Sequence, residues 1–248
     1  MMKPKALVLH AAGTNRDFDV SMALSLAGAD PEIVHLNQLR ARHRRWEDYA
    51  LLVLPGGFSH ADALGAGKLL ALDLISYFAD EISAFVDAGK PVIGICNGFQ
   101  ALVKSGILSE GRLLNPRNST RRATLTHNER GGFECRWTRI APVSKTCLWT
   151  RALTQDVLCP VAHGEGRFVV DSDKTLAELR AGDQIAFTYA LADGSPAGGK
   201  YPDNPNGSVA DIAGICNAAG NVLGLMPHPE NNLRPCSLDL LRAGVSCA

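Results

Sequence analysis

The sequence predicts a doubly wound α/β fold, a mostly parallel sheet covered by helices on both faces, with an antiparallel extension. In the first hundred residues, short and nearly continuous apolar runs alternate with segments of helical apolar spacing, the pattern of strands buried on both faces. From about Ala123 onward the strand signals are separated by Gly, Asn, Asp and Pro, which predicts antiparallel pairing. A strand and a helix signal return near residue 222, so the two ends of the chain are expected to share one sheet.

The first strand is expected over Lys5–His10, followed by a turn at Gly13-Thr14-Asn15. Asp17–Ala27 has apolar residues at Val20, Ala23, Leu24 and Ala27, one face of a helix, with Gly28 as its stop. Glu32–Leu36 and Leu51–Leu54 read as strands, the second ended by Pro55-Gly56-Gly57. An apolar stripe at residues 71, 74, 75, 78, 82, 85 and 86 predicts one helix over Ala71–Ala88, stopped by Gly89. Val92–Ile95 is then a strand, and a helix starts at Gly98–Val103. Further strands are expected over Ala123–Thr126, Phe133–Ile140, Arg167–Val170, Gln184–Tyr189 and Val222–Leu225, and a helix over Ser237–Leu241. There is no internal repeat and no linker, so residues 1–248 are expected to form one domain.

The chain has 248 residues, with 25 Lys and Arg against 25 Asp and Glu, which excludes a basic nucleic-acid binder. Its apolar runs are far shorter than a bilayer span, and no signal-peptide core precedes His10, so a cytoplasmic location is expected. The seven cysteines, at 96, 135, 147, 159, 216, 236 and 247, include no C-x-x-C pair, which argues against a zinc ribbon or a disulfide framework. Most are expected to be buried. Arg40, Arg42, Arg44 and Arg45 crowd into six residues, read as a solvated loop or a contact surface for an acidic partner.

Gly94-Ile95-Cys96-Asn97-Gly98 places a cysteine between a strand and a helix with glycines two residues either side. That spacing is a nucleophile elbow. The helix dipole favours thiolate, and the Asn97 amide points where an oxyanion would form. A base is needed, and His228 in Pro227-His228-Pro229-Glu230 is the favoured candidate. Pro229 biases His228 to an extended conformation, so His228 and Glu230 are expected on one side, with Glu230 orienting the ring. The Gly56-Gly57 turn after a strand is a candidate second oxyanion donor. His163 and Glu165, also two apart, compete for the role of base.

Together, Gly-Ile-Cys-Asn-Gly-Phe-Gln around Cys96, Pro-Gly-Gly-Phe-Ser at 55–59 and the late His-Pro-Glu resemble the class I, triad-type glutamine amidotransferases. Further motifs at 13–17, 163–168, 204–208 and 224–230 extend the resemblance over nearly the whole chain. It implies a flavodoxin-like sheet and hydrolysis of L-glutamine to glutamate and ammonia, with Cys96 as nucleophile, His228 as base and Glu230 as its orienter. It also implies Gly57 and Asn97 as oxyanion donors and Gln100 as a substrate ligand. The implied partners are an ammonia-using synthetase subunit of purine biosynthesis and a small accessory subunit. ATP and Mg would belong to that partner, and no cofactor to this chain. The sequence departs from the family at Arg130 and Gly132, where serine and arginine are usual in a loop bordering the glutamine site, and at Ala61, where glycine is usual. The departures at 130 and 132 motivate one alternative, a catalytically impaired glutamine-binding regulatory subunit. A cysteine-elbow hydrolase or chaperone-like enzyme is another.

Overall fold

In the computed structural model, which describes residues 2–115 and 121–248, the N-terminal half runs β1 (Lys5–His10), α1 (Asp17–Ala27), β2 (Asp30–His35), α2 (Leu36–Arg40), β3 (Leu51–Leu54), α3 (Lys68–Tyr77), α4 (Ala79–Asp87), β4 (Val92–Ile95) and α5 (Asn97–Lys104). It continues through β5 (Ala123–Thr126), β6 (Glu134–Pro142), β7 (Val157–His163), β8 (Arg167–Val170), α6 (Asp173–Ala181), β9 (Ile185–Ala190), β10 (Ile212–Cys216), β11 (Val222–Leu225) and α7 (Pro235–Val245).

Nine strands form one sheet in the order β2-β1-β3-β4-β11-β10-β9-β6-β7. The first five are mutually parallel, and β11 pairs beside β4, so the two ends of the chain do meet in one sheet. The last four add on antiparallel, which accounts for the change in strand signal past residue 123. β5 and β8 form a separate two-stranded antiparallel sheet. Every residue of β3, β4 and β11 is buried, as expected of strands covered on both faces. On α1, Val20, Ala23 and Leu24 face the core and Gly28 ends the helix at φ 104°, a left-handed conformation that favours glycine.

The single helix expected over residues 71–88 is instead two. α3 and α4 meet at Phe78, which leaves helical geometry at φ −130° and packs its ring 5.5 Å from that of Trp46. Both helices bury their stripes, Leu70, Ala71 and Leu74 on one and Ile82 and Phe85 on the other, so the period runs through the break. Six of the expected strands keep their ends, the other three shift by one or two residues, and β7, β10, α2 and α6 are additional elements. β7 contains Pro160, which fits its place as an edge strand because proline has no N–H to donate to a neighbour.

All seven cysteines are free thiols. Four of them, Cys96, Cys147, Cys159 and Cys216, are buried. No helix among the described residues is long and apolar enough to cross a membrane.

Candidate active site

Cys96 stands between β4 and α5 at φ 51°, ψ −103°, a strained conformation for a residue with a side chain. Its N–H donates to the Leu225 carbonyl at 2.8 Å, and its carbonyl accepts from the Gln100 N–H at 3.0 Å. Neighbouring strand and helix thus hold the bend from both sides. The strain sits on the cysteine itself; the flanking glycines serve close packing. A Cβ on Gly98 would strike the Leu54 carbonyl, and one on Gly94 would lie 2.6 Å from Leu102 Cδ1 and 2.8 Å from the Gly98 carbonyl carbon.

The end of β11 delivers His228 to this elbow. Its N–H donates to the Pro160 carbonyl at 2.8 Å, and its Nδ1 pairs with Glu230 Oε1 at 2.7 Å, both side chains being buried. Burial opposes a charged imidazole, but the Glu230 carboxylate and then Cys96 outweigh it, and the pKa is pushed up to about 10. His228 Nε2 has no hydrogen-bond partner, while the Cys96 Sγ donates to the Ala162 carbonyl at 3.7 Å. The structure therefore brings Cys96, His228 and Glu230 together.

The 55–62 turn lies alongside. Gly57 has φ 132°, and a Cβ there would sit 2.6 Å from the Asn15 N–H nitrogen, so the turn is pressed against the 13–16 loop. The Phe58 N–H donates to the Gly13 carbonyl at 3.0 Å and the Arg16 N–H to that of Gly56 at 3.3 Å. As first residue of α5, Asn97 has a backbone amide with no intrahelical acceptor. Its side chain ties the turn to the helix: Oδ1 accepts from the Ser59 hydroxyl and N–H, and Nδ2 donates to Asp62 Oδ1 at 2.8 Å. Burial raises the Asp62 pKa. Both ends of Gln100 are engaged within the protein, Oε1 accepting from Asn97 Nδ2 and Nε2 donating to the Glu165 carbonyl at 2.7 Å.

Cys96, Gln100, Phe58, Phe133 and the Ala162–Glu165 segment line a pocket of about 200 Å³. That is below the roughly 300–1,000 Å³ of sites for drug-sized ligands, which suits an amino acid. His163 forms part of its wall and has no carboxylate partner. Its Nδ1 bonds Asn128 Oδ1 at 3.1 Å and its Nε2 faces Asn206 Nδ2 at 3.5 Å, while burial and nearby His228 lower its pKa to about 3. Glu165 turns the other way, toward the Ala66 N–H and Lys104 Nζ. Burial lowers the Lys104 pKa despite that carboxylate. Of the three His-x-Glu motifs, at 127–129, 163–165 and 228–230, only the last forms a pair; Glu129 goes to Arg167.

Asn128 and Asn206, to which the sequence reading gave no role, hold this wall from two distant segments. Asn128 Nδ2 donates to the His163 carbonyl at 2.8 Å, and Asn206 Nδ2 to that of Gly166 at 2.9 Å. Lone asparagines in glycine-rich stretches look the same whether they end a turn or brace a pocket. Arg130 leaves the pocket, its guanidinium carbon 4.2 Å from the Tyr201 ring centroid, and the Gly132 carbonyl accepts from Asn128. Their loop reaches the pocket through His127 and Phe133. In the basic run, Arg40, Arg44 and Arg45 pair with Asp73, Glu32 and Asp48, as in a solvated turn. No His, Cys, Asp and Glu cluster among the described residues is arranged to hold a metal ion.

The model of the CobB/CobQ-like glutamine amidotransferase domain matches residues 3–243. The chain is 61% identical over 241 residues to the phosphoribosylformylglycinamidine synthase subunit PurQ of Treponema denticola, an alignment covering 94% of this chain and 89% of the relative. It is 42% identical over 236 residues to the PurQ subunit of Dehalococcoides mccartyi, covering 94% and 88%. Among solved structures, PurLQS from Thermotoga maritima superimposes with a TM-score of 0.74 at 31% identity, covering 99% of this chain and 98% of the other. With an elbow cysteine and a buried His-Glu pair on this sheet, the chain belongs to the glutamine amidotransferase family, in its PurQ branch.

Proposed function

We propose that the chain is the glutaminase subunit of a phosphoribosylformylglycinamidine synthase, a single amidotransferase domain acting in the cytoplasm. It hydrolyses L-glutamine to glutamate and ammonia and passes the ammonia to the synthetase subunit, which works with a small accessory subunit to amidate formylglycinamide ribonucleotide in purine biosynthesis. ATP and Mg serve the synthetase; this chain works through its own side chains. The observation that carries the reading is the buried His228–Glu230 pair beside Cys96 at the foot of an amino-acid-sized pocket.

In the reaction, the Cys96 thiol turns from the Ala162 carbonyl and gives its proton to His228 Nε2, and Sγ as thiolate attacks the carboxamide carbon, with imidazolium at 228 as its counter-ion. The tetrahedral oxyanion is met by the amides of Gly57 and Asn97, with Gly56 shaping the turn that carries the first. His228 gives its proton to the leaving nitrogen, ammonia departs, and a thioester remains. Neutral His228 then takes a proton from water, whose oxygen attacks the thioester to release glutamate and restore the thiolate–imidazolium pair. Glu230 holds the ring throughout. Gln100 acts through the pocket wall, since its amide clasps the Glu165 carbonyl.

The test is glutamate release by the full chain, alone and then with synthetase and accessory subunits, ATP, Mg and formylglycinamide ribonucleotide. Docking that sets the Gly57 amide is expected to raise turnover at least about tenfold, since one oxyanion donor is worth roughly 10² in rate. Absence of glutamate release in the complete mixture would overturn the assignment and favour a glutamine-binding regulatory role.

A further inference from the structure

β7 is the last strand of the sheet, yet its outer edge is occupied. Three alternate carbonyls along it, two residues apart and so on one side of the strand, are taken by Asn232 and by two triad residues. The Leu158 carbonyl accepts from Asn232 Nδ2 at 2.5 Å, that of Pro160 from the His228 N–H at 2.8 Å, and that of Ala162 from Cys96 Sγ at 3.7 Å. Pro160 removes the N–H that would otherwise stand unpaired where His228 crosses. The inner edge pairs with β6 without interruption from Val157 to His163, so the outer carbonyls are fixed in spacing by a regular ladder.

The segment after Glu230 is tied from the opposite side as well. Asn231 Nδ2 donates to Asp19 Oδ2 at 3.1 Å, and that same oxygen accepts from Arg16 Nη1 at 3.0 Å, joining the turn to the start of α1. Glu230 is therefore followed directly by two side-chain anchors, Asn231 to Asp19 of α1 and Asn232 to Leu158 of β7. Its Oε1 is engaged with His228, and its other carboxylate oxygen has no hydrogen-bond partner, so the carboxylate takes its placement from the backbone around it.

We infer that Asn232 is a positioning residue for the catalytic triad: by gripping the Leu158 carbonyl it sets the His228–Glu230 turn in register with the β7 edge that also meets Cys96. The inference rests on the reading of Cys96, His228 and Glu230 as the triad. Asn232 touches neither pocket nor triad atoms in hydrogen bonding, so loss of its grip shifts the base and leaves the pocket walls in place. A displacement of about 1 Å at a catalytic group can cost roughly 10² in rate.

The experiment measures kcat and KM for glutamine in the full chain assembled with its synthetase, for Asn232→Asp, Asn232→Ala and Asn232→Gln. The aspartate keeps the shape and removes the donor; the glutamine keeps a donor on a longer arm. Expected are a kcat loss of about 10- to 100-fold for Asp and Ala, KM within about twofold of the parent, and substantial recovery in Gln. Cys96 alkylation by iodoacetamide across pH, read on the same samples, should shift its profile for Asp and Ala and return for Gln. Unchanged kcat in Asp and Ala, or parallel loss without rescue by Gln, overturns the inference. If Asn232→Asp does not fold, the contrast of Ala with Gln decides. Cys96→Ala and His228→Ala serve as controls: activity retained in them refutes the triad reading itself, whereas their inactivity beside silent Asn232 variants refutes only the positioning role.

Discussion

Gly56 and His228 are packed so closely that a methyl group on the glycine would sit 2.7 Å from Cε1 of the imidazole. The turn after β3 thus forms one wall of the slot that holds the base, and its first glycine is set by that contact. The His228 ring must give way in Gly56→Ala, because the ring is the nearest obstacle. A loss in kcat of about 10² is expected, with thermal unfolding changed by far less than a core cavity would cause. Normal kcat in a folded Gly56→Ala would show that the ring has freedom its burial does not suggest.

The triad variants should separate by role. Cys96→Ala and His228→Ala are expected to lose on the order of 10⁴ or more in kcat, and Glu230→Ala less, since an unoriented ring still finds the working tautomer part of the time. His163→Gln should retain turnover within about tenfold, because His163 is a bonded, neutral wall residue. A diazo-ketone glutamine analogue should label Cys96 alone among the seven cysteines, as checked by peptide mapping. A silent His228→Ala beside a dead His163→Gln would reassign the base.

The parallel half of the fold and the 96–228–230 constellation were legible because local signals repeat there. Apolar runs in β1, β3 and β4 are buried on both faces, and glycine spacing marks a bend whatever the rest of the chain does. The break at Phe78 was not legible, since the apolar period continues across it and the interruption depends on packing with Trp46. β7 was not legible for a related reason: Pro160 argues against a strand until a partner occupies the edge. The sequence already favours His228 over His163, because Pro229 biases its segment to an extended path; what it leaves open is where Glu165 goes. Both have a glutamate two residues on; Glu230 pairs with its histidine as the extended path predicts, while Glu165 leaves for Lys104, which no local signal announces.

Two histidines make stability depend on pH in opposite directions. His228 has its folded pKa raised from the ordinary 6.5 to about 10, so its contribution is fully present below 6.5 and is lost as pH rises toward 10. His163 has its folded pKa lowered to about 3, so its contribution is present above 6.5 and is lost as pH falls toward 3. Urea unfolding at several pH values should therefore show the parent losing more stability than His228→Gln between pH 6.5 and 9, and more than His163→Gln between pH 6.5 and 4. A parent curve parallel to both variants would contradict the two shifts.

Ala61 holds φ 56° beside His60 and Asp62 at 54° and 50°. A left-handed conformation costs a residue with a Cβ about 1–2 kcal/mol, whereas glycine adopts it freely. Ala61→Gly is expected to raise unfolding stability by about 1 kcal/mol, the gain being reduced by the extra freedom of glycine in the unfolded chain. Denaturant midpoints compared at equal slope measure it, and a destabilised variant would mean that the alanine methyl makes a contact worth more than the strain.

The occupied edge of β7 also bears on how molecules of this protein meet one another. A terminal strand with free carbonyls and amides invites a second chain to add to the sheet, and Val157–His163 is apolar enough to accept one. Here the catalytic turn blocks that edge, and Pro160 denies an incoming strand one of its acceptors' partners. The residues that arrange the chemistry thereby also keep the sheet from growing. Variants that loosen the turn after Glu230 expose a β-aggregation template, so their solubility on storage and heating should decline before their helices melt.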